Sequence, residues 1–362
     1  MHTLPPAGLS RPTVDARAAA GGLGLQPRRV AVFRALQLGD MLCAVPALRA
    51  LRRLWPQAHL TLVGLPWAAD FAQRFSHLVD DFLPFPGHPS LPEQAPDADG
   101  WADFVRRASA ADFDLTVQLH GDGSRSNAVV EAIPAEERTG FSLSVDEGPW
   151  FTAYPTRGPE LRRLLALPLH LGAESPDEAM EFPLRTEDVT AWAAWPTVRA
   201  LMDERGAPRR DYLCVHVGAR AVERRWPVAH FARVADALSQ RTGWPVVLTG
   251  SEAEQPLTQA MAKVMQREAI DAAAPVSAGA LAAVIGGARI VVSNDTGVSH
   301  LAAALRRPSV VVFRASDMDR WAPLDRERHR CVWDPQGERV DVVLDEALDL
   351  LEALQSGRLP AV

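Results

Sequence analysis

Short apolar runs alternate with longer amphipathic stretches along most of the chain. Arg29–Phe33, His59–Val63, Asp81–Phe85 and Asp114–Gln118 have the length of buried strands. The first is followed by a helical pattern with apolar positions at Leu42, Val45, Leu48, Leu51 and Leu54. A second series begins past residue 209, with strands expected at Tyr212–Val217, Pro245–Leu248, Arg289–Ser293 and Ser309–Phe313. Helices are expected over 228–242, 253–267, 277–286 and 297–305. Strands alternating with helices predict parallel α/β structure.

The pattern breaks in two places. Residues 1–28 are rich in Pro, Gly and Ala without a sustained period, and read as a flexible tail. Around 155–210 the chain is punctuated by Pro155, Pro159, Pro168, Pro176, Pro183, Pro196 and Pro208, which places an interdomain region near 185–209. Two Rossmann-like, doubly wound domains follow, at 29–190 and 209–339, facing a central cleft. In such sheets ligands sit beyond the carboxyl ends of the strands.

With 362 residues the chain has room for two domains with their own cores. Its 47% hydrophobic and 23% charged residues are globular chemistry. Apolar runs stay well short of the roughly 20 residues of a membrane-spanning helix. The opening Met1–Pro6 lacks the basic start and apolar stretch of a secretory signal. Cys43, Cys214 and Cys331 stand far apart, without disulfide-scaffold or zinc spacing, so a reducing cytoplasm is expected. A net charge of -7 argues against a nucleic-acid partner. Lys263 is the single lysine, so cationic side chains that bind phosphate here must be almost entirely arginines.

Four turns stand where ligands belong. Val291–Ser293 runs into Asn294, Asp295, Thr296 and Gly297, and a small-residue helix carrying His300 starts at once. Free amides at such a helix start make a phosphate site, although a ligand-free capped turn has the same sequence. His216–Pro227 again joins a strand to a glycine-bearing loop, with Arg224 and Arg225 able to neutralise a diphosphate or to stand as a solvated pair. Leu248–Glu254 offers a carboxylate for a ribose, or simply acidic residues in a first helical turn. In the first half, Gly39-Asp40 follows the first strand, and Asp40 is placed as a general base or as an N-cap. Three turns at the strand ends of one half and one at the equivalent edge of the other suit a bound donor and a facing base.

These motifs resemble the bacterial heptosyltransferases of glycosyltransferase family 9. The resemblance runs from about Arg29 to Leu354. It is carried by Gly39-Asp40 followed by Pro46-Ala-Leu-Arg-Ala-Leu51, by Arg225-Trp-Pro-Val-Ala-His-Phe231, and above all by Asn294-Asp-Thr-Gly-Val-Ser-His300-Leu-Ala-Ala-Ala304. It implies a GT-B fold and an inverting transfer from a nucleotide-diphosphate sugar, ADP-heptose in the best-known members, to a glycan or lipopolysaccharide-type acceptor. By the resemblance Asp40 is the catalytic base, and Gly39, Arg224, Arg225, Asn294, Asp295, Thr296, Gly297 and His300 surround the donor. Arg224 stands where relatives carry a phosphate-binding lysine. Glu254, or Glu252 if the loop aligns differently, matches the ribose-binding acid. A closing helix at 340–356 is expected to cross back to the first domain. Arg74, Arg106 and Arg107 are acceptor candidates by position only, and Leu36-Gln37-Leu38 departs from the small hydroxyl residues of several relatives.

No cofactor or metal is expected. The triplets Asp97/Asp99, Asp112/Asp114 and Asp317/Asp319 lie away from the position a metal-dependent glycosyltransferase needs. A dehydrogenase is disfavoured because Gly21-Gly22-Leu23-Gly24 precedes any strand, and a Gly-Lys-Ser/Thr phosphate loop is missing. Ser299 and His300 are helix neighbours that point apart, which disfavours a hydrolase. A non-catalytic nucleotide-sugar binder, an acceptor outside lipopolysaccharide and peripheral contact with the inner membrane surface remain open readings, as does the oligomeric state.

Overall fold

The computed structural model describes residues 24–143, 148, 150–195, 201, 211–274 and 276–360. Most of the expected tail, and of the linker after residue 195, lies outside the described residues. The end of the tail is nevertheless tied down. The Leu25 carbonyl accepts from the Trp55 indole at 3.1 Å, and the Arg28 carbonyl accepts from His59 N at 2.7 Å. The ordered fold therefore starts before residue 29.

The first half contains six strands: β1 (Arg29–Phe33), β2 (His59–Gly64), β3 (Asp81–Pro84), β4 (Phe113–Gln118), β5 (Ala135–Ser142) and β6 (Phe151–Ala153). All pair in parallel, in the order β3-β2-β1-β4-β5-β6. The second half repeats the scheme with β7 (Leu213–His216), β8 (Val246–Thr249), β9 (Ala269–Asp271), β10 (Ile290–Asn294), β11 (Ser309–Phe313) and β12 (His329–Trp333). Their order, β12-β11-β10-β7-β8-β9, is also all parallel and has the same connectivity as the first sheet. This order reverses direction between β1 and β4 and between β7 and β10, and those switch points are where crevices open.

Side chains alternate across each sheet. Val30 and Val32 enter one core while Ala31 and Phe33 enter another, so both faces of β1 are buried. The helices that cover the facing sides are α1 (Leu38–Leu54) and α5 (Glu160–His170) in the first half, and α9 (Ala278–Gly287) and α10 (Gly297–Ala304) in the second. Met41, Leu48, Leu164, Val284 and Leu301 from these four helices belong to one apolar cluster. The outer face of the second sheet is covered by α7 (Val228–Thr242), by α8 (Gln255–Val264) and by α12 (Val340–Gln355).

One expectation about the crossing between halves is corrected. The buried face of α12, with Val343, Ala347, Leu350 and Leu351, packs on α7, β11 and β12 of its own half. The element that reaches over is α6 (Thr186–Ala193), within the stretch expected to join the halves, which packs on α9. Trp192 is its buried anchor, beside Tyr212 at 6.3 Å between rings.

Candidate active site

The carboxyl ends of β1, β7, β8 and β10 open on one cleft of about 730 Å³. Asp40, Gly39 and Leu38 line it from the first half; His216, Arg220, Arg224, Glu254, Asp295, Thr296, Gly297 and His300 line it from the second.

The turn after β10 is built by its own side chains. Asn294 is fully buried and acts as a strut, since its Oδ1 accepts from Trp226 N at 2.8 Å and its Nδ2 donates to the Val217 and Gly218 carbonyls. Asp295 is 2% exposed, accepts from the Ser316 hydroxyl and lies 3.7 Å from the Arg224 guanidinium. Thr296 N-caps α10 by accepting from Val298 N at 3.2 Å. The strand thus delivers a rigid helix start into the cleft, with the positive end of the helix dipole behind it.

The arginine pair after β7 divides its work. Arg224 closes a short 3-10 turn (Val222–Arg224), and its half-exposed side chain faces the cleft. Arg225 instead sends Nε to the Ala219 carbonyl at 2.8 Å and braces the loop from behind. The structure brings Arg224, with the unforeseen Arg220, to the cleft, and does not bring the Arg225 side chain there.

The two glutamates also differ in position. Glu252 is exposed outside the cleft, whereas Glu254 folds back so that its Oε2 accepts from Ser251 N at 2.8 Å and from Ser251 Oγ at 2.9 Å. Its other oxygen lies where a methyl on Gly218 would stand, only 2.0 Å from such a carbon, so Gly218 is the residue that makes room for it. Burial acts to raise the Glu254 carboxyl, but His216, the two Ser251 donors and Arg225 hold it below the usual carboxylate value. His216, also unforeseen as a site residue, is 6% exposed and bonds through Nδ1 to Thr249 Oγ1 at 3.2 Å. Burial lowers its pKa despite Glu254 nearby.

On the facing side, Asp40 sits half-buried in the first turn of α1, with no ion-pair partner for its carboxylate among the described residues. Its main chain is held firmly: the carbonyl accepts from Arg34 Nε at 3.1 Å and Nη2 at 2.7 Å. His300, on the first turn of α10, meets Cys43 of α1 at 3.6 Å and the edge of Trp321 at 6.0 Å between rings. Burial, then Asp40 and Glu160, push the Cys43 thiol far up, so it packs as a neutral thiol.

The acceptor candidates are not at this cleft. Arg74 is buried and spent on Asp188 and Asp70, with its guanidinium over Phe182 at 4.6 Å, tying α2 (Ala68–Arg74) to α6. Arg106 and Arg107 lie on the exposed face of α3 (Ala98–Ala110), where Arg106 pairs with Asp103. Each Asp-x-Asp triplet has a local task. Asp97 caps α3, Asp114 accepts from Arg29 N at 2.9 Å, and Asp317 caps the short helix α11 (Met318–Trp321). Among the described residues, no helix is long and apolar enough to cross a membrane.

Comparisons with known proteins bear on the family and the fold. The chain is 25% identical over 308 residues to lipopolysaccharide heptosyltransferase 1 of Pseudomonas aeruginosa, covering 79% of this chain and 78% of that one. It superposes on a family 9 glycosyl transferase from Veillonella parvula with a TM-score of 0.77 at 21% identity, over 91% of this chain and 99% of that one. An E. coli heptosyltransferase solved with ADP matches with a TM-score of 0.67 at 19% identity, over 90% and 99%. The fold is GT-B. Residues 101–348 match the model of glycosyltransferase family 9 (heptosyltransferase), and with them the Arg224, Glu254 and Asn294–His300 turns of the cleft; the chain is a glycosyltransferase belonging to that family.

Proposed function

We propose that this glycosyltransferase moves a heptose from ADP-heptose, with inversion, to a hydroxyl of a lipopolysaccharide-type acceptor. The observation that carries the reading is the placement of Asp40, a carboxylate with no ion-pair partner among the described residues, in the same cleft as Arg224, Glu254 and the start of α10. In this reading Glu254 meets the ribose hydroxyls, and Arg224 with the Thr296-Gly297 turn meets the diphosphate. Asp40 takes the proton of the acceptor hydroxyl as its oxygen bonds to the anomeric carbon. The bond from that carbon to the diphosphate breaks, its electron pair leaves with ADP, and the helix start and Arg224 stabilise the charge.

Heptose and the lipopolysaccharide acceptor are supported by the names of the relatives, and Arg74, Arg106 and Arg107 add nothing to them. A glycan outside lipopolysaccharide is the second reading, favoured by that same displacement of the expected basic cluster from the cleft. Metal independence is part of the proposal, supported by the structural tasks of Asp97, Asp114 and Asp317. A reducing cytoplasm suits the free thiols of Cys43, Cys214 and Cys331.

The purified chain should transfer sugar from ADP-heptose to a heptose-deficient lipopolysaccharide core, with the product of opposite anomeric configuration by NMR and with EDTA without effect. Transfer from another nucleotide sugar alone, retention of configuration, or loss with EDTA and recovery with magnesium would each overturn the corresponding part.

A further inference from the structure

Glu160, at the first position of α5, is 3% exposed, and three groups converge on it. Tyr154 Oη donates at 2.6 Å, Arg320 Nε donates at 2.7 Å, and Arg34 Nη2 lies 4.0 Å away. Arg34 is fully buried, and Glu160 is its one carboxylate partner within 4.0 Å among the described residues. Arg34 also donates to the Asp40 and Leu119 carbonyls, so it fixes the first turn of α1 against the end of β4.

Arg320 comes from the other half. It rides on α11, donates to Tyr154 Oη at 3.2 Å as well, and lies 4.7 Å over the ring of Trp321. Trp321 lines the cleft and packs edge-on against His300. A continuous polar line therefore runs from the Asp40 peptide, through Arg34 and Glu160, to Arg320 and the wall of the donor site.

We propose that Glu160 and Arg320 form an interdomain clasp that sets Asp40 against the donor site, which makes Arg320 a positioning residue for transfer. This rests on the function proposed above. Buried Glu160 carries its charge with two guanidiniums and a phenol around it; removing Arg320 leaves it under-compensated and lets the Arg34–Asp40 turn shift. Displacements of about 1 Å near the reacting atoms cost as much as a hundredfold in rate.

The test compares Arg320→Ala and Arg320→Lys with wild type by three measurements: ADP affinity by calorimetry, kcat and KM with ADP-heptose, and hydrogen exchange of the Asp40–Cys43 amides. Arg320→Ala should lower kcat roughly ten- to hundredfold while ADP affinity stays within about twofold, and the Asp40–Cys43 amides should exchange faster. Arg320→Lys, which keeps the charge beside Glu160, should recover most of the rate. Unchanged kcat, ADP affinity falling in step with kcat, or a lysine variant as slow as the alanine one would overturn the clasp. If wild type moves no sugar from ADP-heptose, the proposed function fails. Hydrogen exchange then still judges the clasp: faster exchange at an unchanged melting temperature upholds it, and unchanged exchange overturns it. Arg320 keeps 31% of its side chain exposed, so its truncation leaves the core packing intact.

Discussion

Gly39 and Gly297 abut across the seam between the two halves: a methyl built on Gly39 would stand 3.0 Å from the Gly297 Cα and 2.9 Å from His300 Cδ2. The reverse substitution is milder, because a methyl on Gly297 would meet Gly39 N at 3.4 Å, an ordinary contact. Neither glycine has a positive φ, so the constraint is space and not backbone conformation. Gly39→Ala should destabilise the fold by about 1–3 kcal/mol, as overpacking does, and should slow transfer by displacing His300. Gly297→Ala should leave the melting temperature nearly unchanged. Thermal melts of both variants check the asymmetry.

Asp40→Asn removes the base and keeps the shape of the turn, whose main-chain bonds to Arg34 do not involve the carboxylate. Turnover should fall by roughly 10²–10⁴-fold with ADP affinity retained. Steady-state kinetics and ADP titration, run on the same preparation, check this; near-normal turnover would remove Asp40 from the role of base.

Arg224→Ala should weaken ADP binding roughly ten- to hundredfold, the size of a lost charge-assisted contact. Arg225→Ala should change it less, because that guanidinium is bonded to the Ala219 carbonyl behind the loop. Equal losses in the two variants, measured by calorimetry, would contradict the division seen in the structure.

Asp334 gives a pH-dependent contribution away from the cleft. It is fully buried and accepts from the Trp226 indole at 2.7 Å and from the amides of Gly337, Glu338 and Arg339 ahead of α12. Burial acts to raise its pKa, but these donors bring it below the usual carboxylate value. The stabilisation is therefore complete above the unfolded pKa of about 3.9 and is lost as pH falls through the lower folded value. Asp334→Asn should be less stable by about 1–3 kcal/mol at neutral pH, and the gap to wild type should close in acid. Denaturant titrations at several pH values between neutrality and acid check the convergence.

The fold was legible wherever burial is two-sided and the turn chemistry is strong. β1, β7, β10 and β11 are short apolar runs, and the helix at 228–242 carries a proline ahead of it and Gly243 in the left-handed conformation behind it. β5, β6, β9 and β12 escaped the pattern. β5 carries Glu136, Glu137 and Arg138 near its start, β6 and β9 have three residues each, and β12 opens on His329 and Arg330. At the site, the helix start at Thr296-Gly297 and the Gly39-Asp40 turn could be read because they follow apolar strands directly. Which of Arg224 and Arg225, or of Glu252 and Glu254, faces the cleft depends on single φ/ψ choices in and beside 3-10 turns, which identical residues so near in sequence do not reveal. Arg34 and Glu160 were invisible for another reason: charged residues look like surface ones until a partner distant in sequence is known. The same blindness made buried Arg74 look available.

The apolar cluster that joins α1 and α5 to α9 and α10 has a consequence for how this protein can be handled. Residues from both halves, among them Met41, Leu164, Tyr212, Val284 and Leu301, are buried in one body of hydrocarbon. The donor cleft is thus a notch in a shared interior. Cutting the chain near residue 200 would expose that interior on both fragments, so either half expressed alone should aggregate, and co-expressed fragments should recover each other. Heating the intact chain should melt both sheets in one cooperative transition, which makes the two halves a single folding unit despite their matching topologies.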